Sequence, residues 1–153
     1  LVIDPAVASI ATWLLHEVAT AGTGARSNKL GLNLAGKTGT TNDEKDTWFV
    51  GFNQDVITAA WVGYDQPRTL GISSTGGRTA LPIWMDYMKV AIPKETDRPF
   101  QMKGDIEWAQ IEEETGRRVS SGGRRYPFLK DTAPESTGIS AGQVTLEDVT
   151  TEL

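Results

Sequence analysis

Cysteine is absent from the 153 residues, and histidine occurs once, at His16. The missing thiols exclude disulfides, thiolate nucleophiles and cysteine metal sites, but do not fix the redox compartment. Nothing near His16 completes a ligand set, so it reads as a packed or surface histidine, and no metal and no cofactor is expected. No basic block stands out against a formal net charge of −5, which makes nucleic acid and anionic membrane poor partners. No apolar run is long enough to cross a bilayer, and no signal peptide is visible. The sequence opens on Leu1 without Met, as a processed chain or a piece of a longer protein would, so the missing targeting segment says little about the parent. No carboxylate pair suggests glycoside hydrolysis. No internal repeat is found, and the length suits one ordinary domain with a real core.

What is present is organised in order. Asp4-Pro5 reads as an N-cap with proline in the first turn. Val7, Ile10, Ala11, Leu14, Leu15 and Val18 then recur at helical spacing, predicting a helix over 5–20 that Gly22 and Gly24 stop. Residues 21–31 read as a polar, glycine-rich loop; Gly22-Thr23-Gly24 lacks the spacing of a phosphate-binding loop. Three strands are expected at 33–40, 46–52 and 56–64. In the second, Trp48, Val50 and Phe52 share one face and Phe49 and Gly51 the other. Asn53-Gln54-Asp55 is a short turn, so the second and third strands form an antiparallel hairpin. Both its faces carry apolar groups, which predicts a sheet covered by helices. Trp48, Phe49 and Phe52 are expected mostly in the core, with one aromatic at a cleft edge as the alternative. Trp61 and Tyr64 are expected to be structural, with Tyr64-Asp65 at a cleft rim as the alternative.

After a loop over 65–77, a second helix is predicted over 79–91, with Leu81, Trp84, Met85, Met88 and Ile92 as its apolar stripe and Pro82 in its first turn. Pro93 to Pro99 reads as a domain exit. Beyond it, Ile106 to Ile111 and Arg118-Val119 are candidate strands around a turn at Glu114-Thr115-Gly116. Residues 120–143 show little periodicity, and Val144 to Leu153 is acidic and expected to be loosely held. Arg117-Arg118 and Arg124-Arg125, set among Glu112-Glu113-Glu114, read as a charged surface hairpin, with contact to an anionic wall polymer or a partner protein as the alternative.

The chemistry concentrates at Lys37-Thr38-Gly39-Thr40. On an extended strand, residues two apart share a face, so Thr38 and Thr40 form a two-hydroxyl surface suited to a carboxylate, and Lys37 points the other way unless the strand twists. Gly39 admits a carbonyl close to the backbone, and the Thr40 N–H beside it can face a developing oxyanion, an interaction of order 3 kcal/mol in acyl transfer. Thr41-Asn42-Asp43 and Asp46 form a polar turn that either positions substrate or stabilises itself.

Lys-Thr-Gly is a signature of penicillin-binding proteins and class A β-lactamases. Here it lies in the string from Ala35 through Gly36-Lys37-Thr38-Gly39-Thr40-Thr41-Asn42 to Asp43. Asp46 to Phe52 and Trp61 to Asp65 follow, with Gly22 to Gly24 upstream and Gly76-Gly77 and Ala80 to Trp84 downstream. Taken together, this resembles the transpeptidase domain of the bifunctional, class A penicillin-binding proteins. The resemblance is strong over 1–92 and weaker over 93–153. It implies an α+β, serine β-lactamase/transpeptidase-like fold, an antiparallel sheet packed against helices, incomplete in this chain. Residues 1–92 would be the C-terminal part of the transpeptidase domain and 93–153 a small extension.

The resemblance further implies crosslinking of peptidoglycan stem peptides through an acyl-serine, and covalent capture of β-lactams. Lys37 and Thr40 would be catalytic, and Thr38, Gly39, Thr40 and Thr41 would bind substrate or β-lactam. It places the parent in the inner membrane with this part on the periplasmic side. One departure matters. Neither Ser-x-x-Lys nor Ser-x-Asn occurs in this sequence, and covalent catalysis needs an activated nucleophile. The expectation is that upstream polypeptide supplies both motifs and that this chain alone forms no acyl-enzyme. A D,D-carboxypeptidase or β-lactamase of the same fold, and a non-catalytic wall-binding or interaction module, are the other readings.

Overall fold

A computed structural model describes residues 2–136 and 138–142; the expectation for Val144 to Leu153 lies outside them. Helix α1 (Pro5–Thr20) is followed by strands β1 (Ala35–Thr40), β2 (Asp46–Phe52) and β3 (Ile57–Gly63), helix α2 (Ala80–Ala91), and strands β4 (Ile106–Ile111) and β5 (Arg124–Leu129). The chain divides into two compact units, residues 11–101 in one and residues 1–10 with 102–153 in the other.

The start of α1 behaves as its sequence predicts: Asp4 Oδ1 accepts the Ala6 N–H at 2.8 Å and the Val7 N–H at 3.3 Å, satisfying donors that have no partner within the helix. The unit that contains residues 102–136 also includes this helix start. Serine supplies the physical reason. Ser9 Oγ donates to Lys103 O at 3.0 Å and accepts the Lys103 N–H at 2.8 Å, and Gly104, at φ +88°, leaves no room for a Cβ beside Ala6.

In the other unit, β1, β2 and β3 form an antiparallel sheet in that order, Lys37 opposite Val50 and Trp48 opposite Trp61. One face is packed. Phe49 is fully buried, with its ring 4.7 Å from that of Trp84 on α2. Leu34, Ala60, Leu81 and Met88 complete the same core. Gly51 is required there, since a Cβ would fall 2.6 Å from the Trp84 ring.

The expected sheet packed against a helix is present on the packed face, and the opposite face is open among the described residues. Among the described residues, Trp48 (43%), Val50 (42%), Trp61 (45%) and Ile57 (74%) stay exposed on the opposite face, the two indoles 6.3 Å apart. Trp48 is therefore not buried by the described residues. Only one end of this face is closed, where Phe100 packs 5.7 Å from the Phe52 ring and 5.8 Å from His16.

Other boundaries move for local reasons. The expected loop at 21–31 contains a 3-10 helix, Ala25–Leu30, built around the fully buried Ser27, whose Oγ lies 2.9 Å from Gly24 O and 3.0 Å from Ala19 O. Strand β1 begins at Ala35, not at residue 33, because Asn33 gives its backbone N–H and its side-chain amide to Asp97 at 2.9 and 2.7 Å. His16, 2.7 Å from Leu34 O through Nδ1, is a packing histidine.

In the second unit the turn at 114–116 is present, Gly116 N donating to Glu112 O at 2.8 Å. The strand beyond it is not the expected one. Arg118 makes isolated bridges only, to Ile111 and Ser136, and β4 pairs along its length with β5. Pro127 opposes Trp108 in that ribbon; proline lacks a ladder donor, so it sits on a strand with an open edge.

Candidate functional site

Strand β1 lies at one edge of the three-stranded sheet. Its register fixes where the backbone donors point. Thr41 N donates to Asp46 O at 3.1 Å, one step beyond the Thr40–Thr47 pair. In an antiparallel ladder, residues that exchange hydrogen bonds alternate with residues that do not. The N–H groups of Gly39 and Thr41 therefore turn to β2, and those of Thr38 and Thr40 turn to the open edge.

The Thr38 and Thr40 side chains share the face on which the loop before α2 lies. Gly76 is seated so tightly over the strand that a Cβ would fall 2.4 Å from Trp48 O and 2.6 Å from Gly39 O. Its N–H donates to Thr40 Oγ1 at 3.1 Å, and Thr38 Oγ1 lies 2.8 Å from Thr23 Oγ1. Together Thr23, Thr38, Thr40, Thr75, Gly76, Gly77 and Arg78 line an open cavity of about 420 Å³.

Each expected site residue now has a place. Thr38 and Thr40 stand together on the cavity. Lys37 starts from the other face and folds round the strand, its Nζ donating to Thr38 O at 3.0 Å and lying 3.3 Å from Thr38 Oγ1. Gly39 lies beneath Gly76. Thr41 does not line the cavity; its Oγ1 takes the Asp46 N–H at 2.9 Å and closes the β1–β2 turn. That turn holds Asp43 and Glu44 at positive φ, 59° and 52°.

Sequence reasoning passed over Arg78 and Thr75. Arg78 is an exposed cation on the hydroxyl face, and among the described residues it makes no ion pair. The signal was available: an arginine directly after Gly76-Gly77 and just before the α2 cap. Four threonine hydroxyls with a guanidinium and an outward backbone N–H suit a bound carboxylate whose neighbouring carbonyl becomes an oxyanion.

The antiparallel sheet with its Lys-Thr-Gly-Thr edge and covering helix matches a transpeptidase-type fold. No family model matches the chain. Penicillin-binding protein 1A of Pseudomonas aeruginosa is 42% identical over 146 residues, covering 92% of this chain and 18% of that protein. Penicillin-binding protein 1A of Neisseria lactamica is 45% identical, covering 68% of this chain and 13% of that protein. The crystal structure of penicillin-binding protein 1A from Haemophilus influenzae superposes with a TM-score of 0.81 at 31% identity, over 90% of this chain and 22% of that one. The chain is homologous to a segment of penicillin-binding protein 1A, and it spans less than a fifth of the length of these curated relatives.

Proposed function

We propose that the protein carrying this chain is a peptidoglycan D,D-transpeptidase and that β1 forms one wall of its acyl-transfer site. The single observation that carries this reading is the open edge of β1, which presents the Thr40 N–H next to the cavity bearing the Thr38 and Thr40 hydroxyls. In this reading 1–92 is the C-terminal part of the transpeptidase domain and 93–153 an appended module. The parent is anchored in the inner membrane and works on its outer side. Among the described residues no helix is long and apolar enough to cross a membrane.

The proposed reaction is acyl transfer through a serine that this sequence does not supply. A serine from polypeptide outside this sequence attacks the penultimate D-alanine carbonyl of a stem peptide. The carbonyl π electrons move to oxygen, and the Thr40 N–H stabilises the resulting oxyanion. As the intermediate collapses, the C–N bond breaks and terminal D-alanine leaves as an amine carrying the serine proton. An amine of a neighbouring stem then displaces the serine ester. The substrate carboxylate is held by the Thr38 and Thr40 hydroxyls with Arg78 opposite. Lys37, held on Thr38, adds positive charge at the strand edge. A β-lactam presents the same carboxylate and strained amide, and its acyl product stays on the serine.

Intact mass of the parent protein after exposure to a labelled penicillin tests the proposal. One covalent adduct on a serine outside this sequence is expected, and none on the 153-residue chain alone. Absence of an adduct on the folded parent removes the reading. An added amine acceptor separates transfer from hydrolysis, since a carboxypeptidase or β-lactamase would deliver the acyl group to water alone.

A further inference from the structure

The two-stranded sheet carries a second cavity that acyl transfer at β1 does not use. It encloses about 410 Å³ and is lined by Trp108, Gln110, Arg118, Ser120, Arg125 and Ser136, among others. Its volume falls in the range of small-molecule sites, roughly 300–1,000 Å³. Gln110 opposes Arg125 and Trp108 opposes Pro127 in the β4–β5 ribbon. Directly opposed residues share a face, so indole, amide and guanidinium stand side by side. The Arg125 Cζ is 5.5 Å from the Trp108 ring centroid.

The charge state of this groove is specific. Arg118 is paired with Glu107 at 2.6 Å and Arg124 with Glu113 at 3.6 Å. Arg125 makes no ion pair among the described residues. It is an unneutralised guanidinium, while Glu107 and Glu113 are taken up by Arg118 and Arg124. A ligand with one negative charge gains Arg125 as a fork-shaped partner. A dianionic phosphate would find one unneutralised guanidinium for its two charges. A polyanionic nucleic acid is disfavoured more strongly for the same reason.

We propose that this groove binds a carboxylate-bearing saccharide of about one sugar unit. Arg125 takes the carboxylate through two N–H groups. The indole of Trp108, 36% exposed, receives the C–H face of the pyranose, because the negative face of the ring attracts weakly positive hydrogens. The Gln110 amide and the hydroxyls of Ser120 and Ser136 serve ring hydroxyl or N-acetyl groups. Ser120 Oγ donates to Ile139 O at 3.0 Å and keeps its acceptor lone pairs for this purpose. The choice of a wall-derived sugar rests on the peptidoglycan reading; the preference for a single carboxylate rests on the groove alone.

The test is a titration of the isotope-labelled full chain, read by NMR at the Trp108 indole N–H, the Gln110 amide and Arg125 Nε. N-acetylmuramic acid is the probe, with N-acetylglucosamine and inorganic phosphate as comparison probes. Saturable shifts at these three residues are expected with N-acetylmuramic acid, with affinity about tenfold weaker for the neutral sugar and for phosphate. Arg125→Gln should weaken the acid about tenfold and erase the preference over the neutral sugar. Arg124→Gln, whose partner is Glu113, should change neither, and Arg125→Lys should keep the preference at reduced affinity. No saturable shift, equal affinity for the neutral sugar, or tighter binding of phosphate would each overturn the proposal. Penicillin acylation of the parent is scored separately, so loss of sugar binding with acylation intact removes this site and leaves the transpeptidase reading standing.

Discussion

The three-stranded and two-stranded sheets are held in opposite ways. The first is fastened by an aromatic core: Phe49, Trp84, Leu81 and Met88 are all buried beneath one face, and the polar groups collect at an edge. The second buries Ala109, Ile111 and Val119, and polar contacts brace its strands against the flanking segments, Arg118 to Glu107 and Glu113 to both Arg124 and Tyr126. Each has a cavity of similar volume containing an arginine without an ion pair among the described residues. The difference shows what each sheet can tolerate. A core of large side chains makes stability sensitive to single truncations, and it frees the edge to be chosen for chemistry. A ribbon with few buried side chains and half-exposed polar contacts at its flanks spreads a small stability over many groups.

Four substitutions test this contrast, in order of expected effect. Trp84→Ala should cost about 3–5 kcal/mol, the range for truncating a large buried aromatic. Urea denaturation of the full chain would measure it, and a loss below 1 kcal/mol would show that the aromatic core does not hold the first sheet. Thr40→Val in the parent should slow penicillin acylation roughly 10- to 100-fold, the equivalent of a hydrogen bond to a charged group. It should also cost about 1 kcal/mol of stability, because the Gly76 N–H loses its acceptor. Unchanged acylation would remove the carboxylate role.

Arg78→Gln should weaken acylation by carboxylate-bearing β-lactams about tenfold at unchanged melting temperature. Equal rates in variant and parent would return the cationic role to Lys37 alone. The smallest effect belongs to Arg98→Gln. Arg98 pairs with Asp55 at 2.6 Å, but the side chains are 59% and 46% exposed, so the loss should stay within about 0.5 kcal/mol. A larger value would show that charge also fastens the first sheet.

Where the sequence carried periodicity, the structure could be read from it. The α1 and α2 patterns, the β2 alternation and the turn at Asn53 to Asp55 follow local rules. The Asn53 side chain accepts the Asp55 and Val56 N–H groups at 3.0 and 2.8 Å. Long-range decisions were not legible. Nothing local to Asn33 announces Asp97, and nothing local to Arg118 says that β4 prefers residues 124–129, where Pro127 and two arginines argue against a strand. Exposure of Trp48 and Trp61 could not be inferred either, since alternation tells which residues share a face and not which face is covered. At the candidate site, the Lys37 to Thr40 strand stood out by composition. Thr75 and Arg78 did not, because they reach it through a loop fold set by Gly76.

The seating of Gly76 on the backbone of Gly39 and Trp48 has an evolutionary corollary. The strand contributes main-chain geometry and two hydroxyls that tolerate little change. The loop over it contributes the side chains of Thr75 and Arg78, while its backbone is seated through Gly76. Selection can therefore retune which anion fits by editing neighbours of that glycine, while the sheet below keeps its registration. Variation among descendants of this chain should gather on the roof and spare the floor.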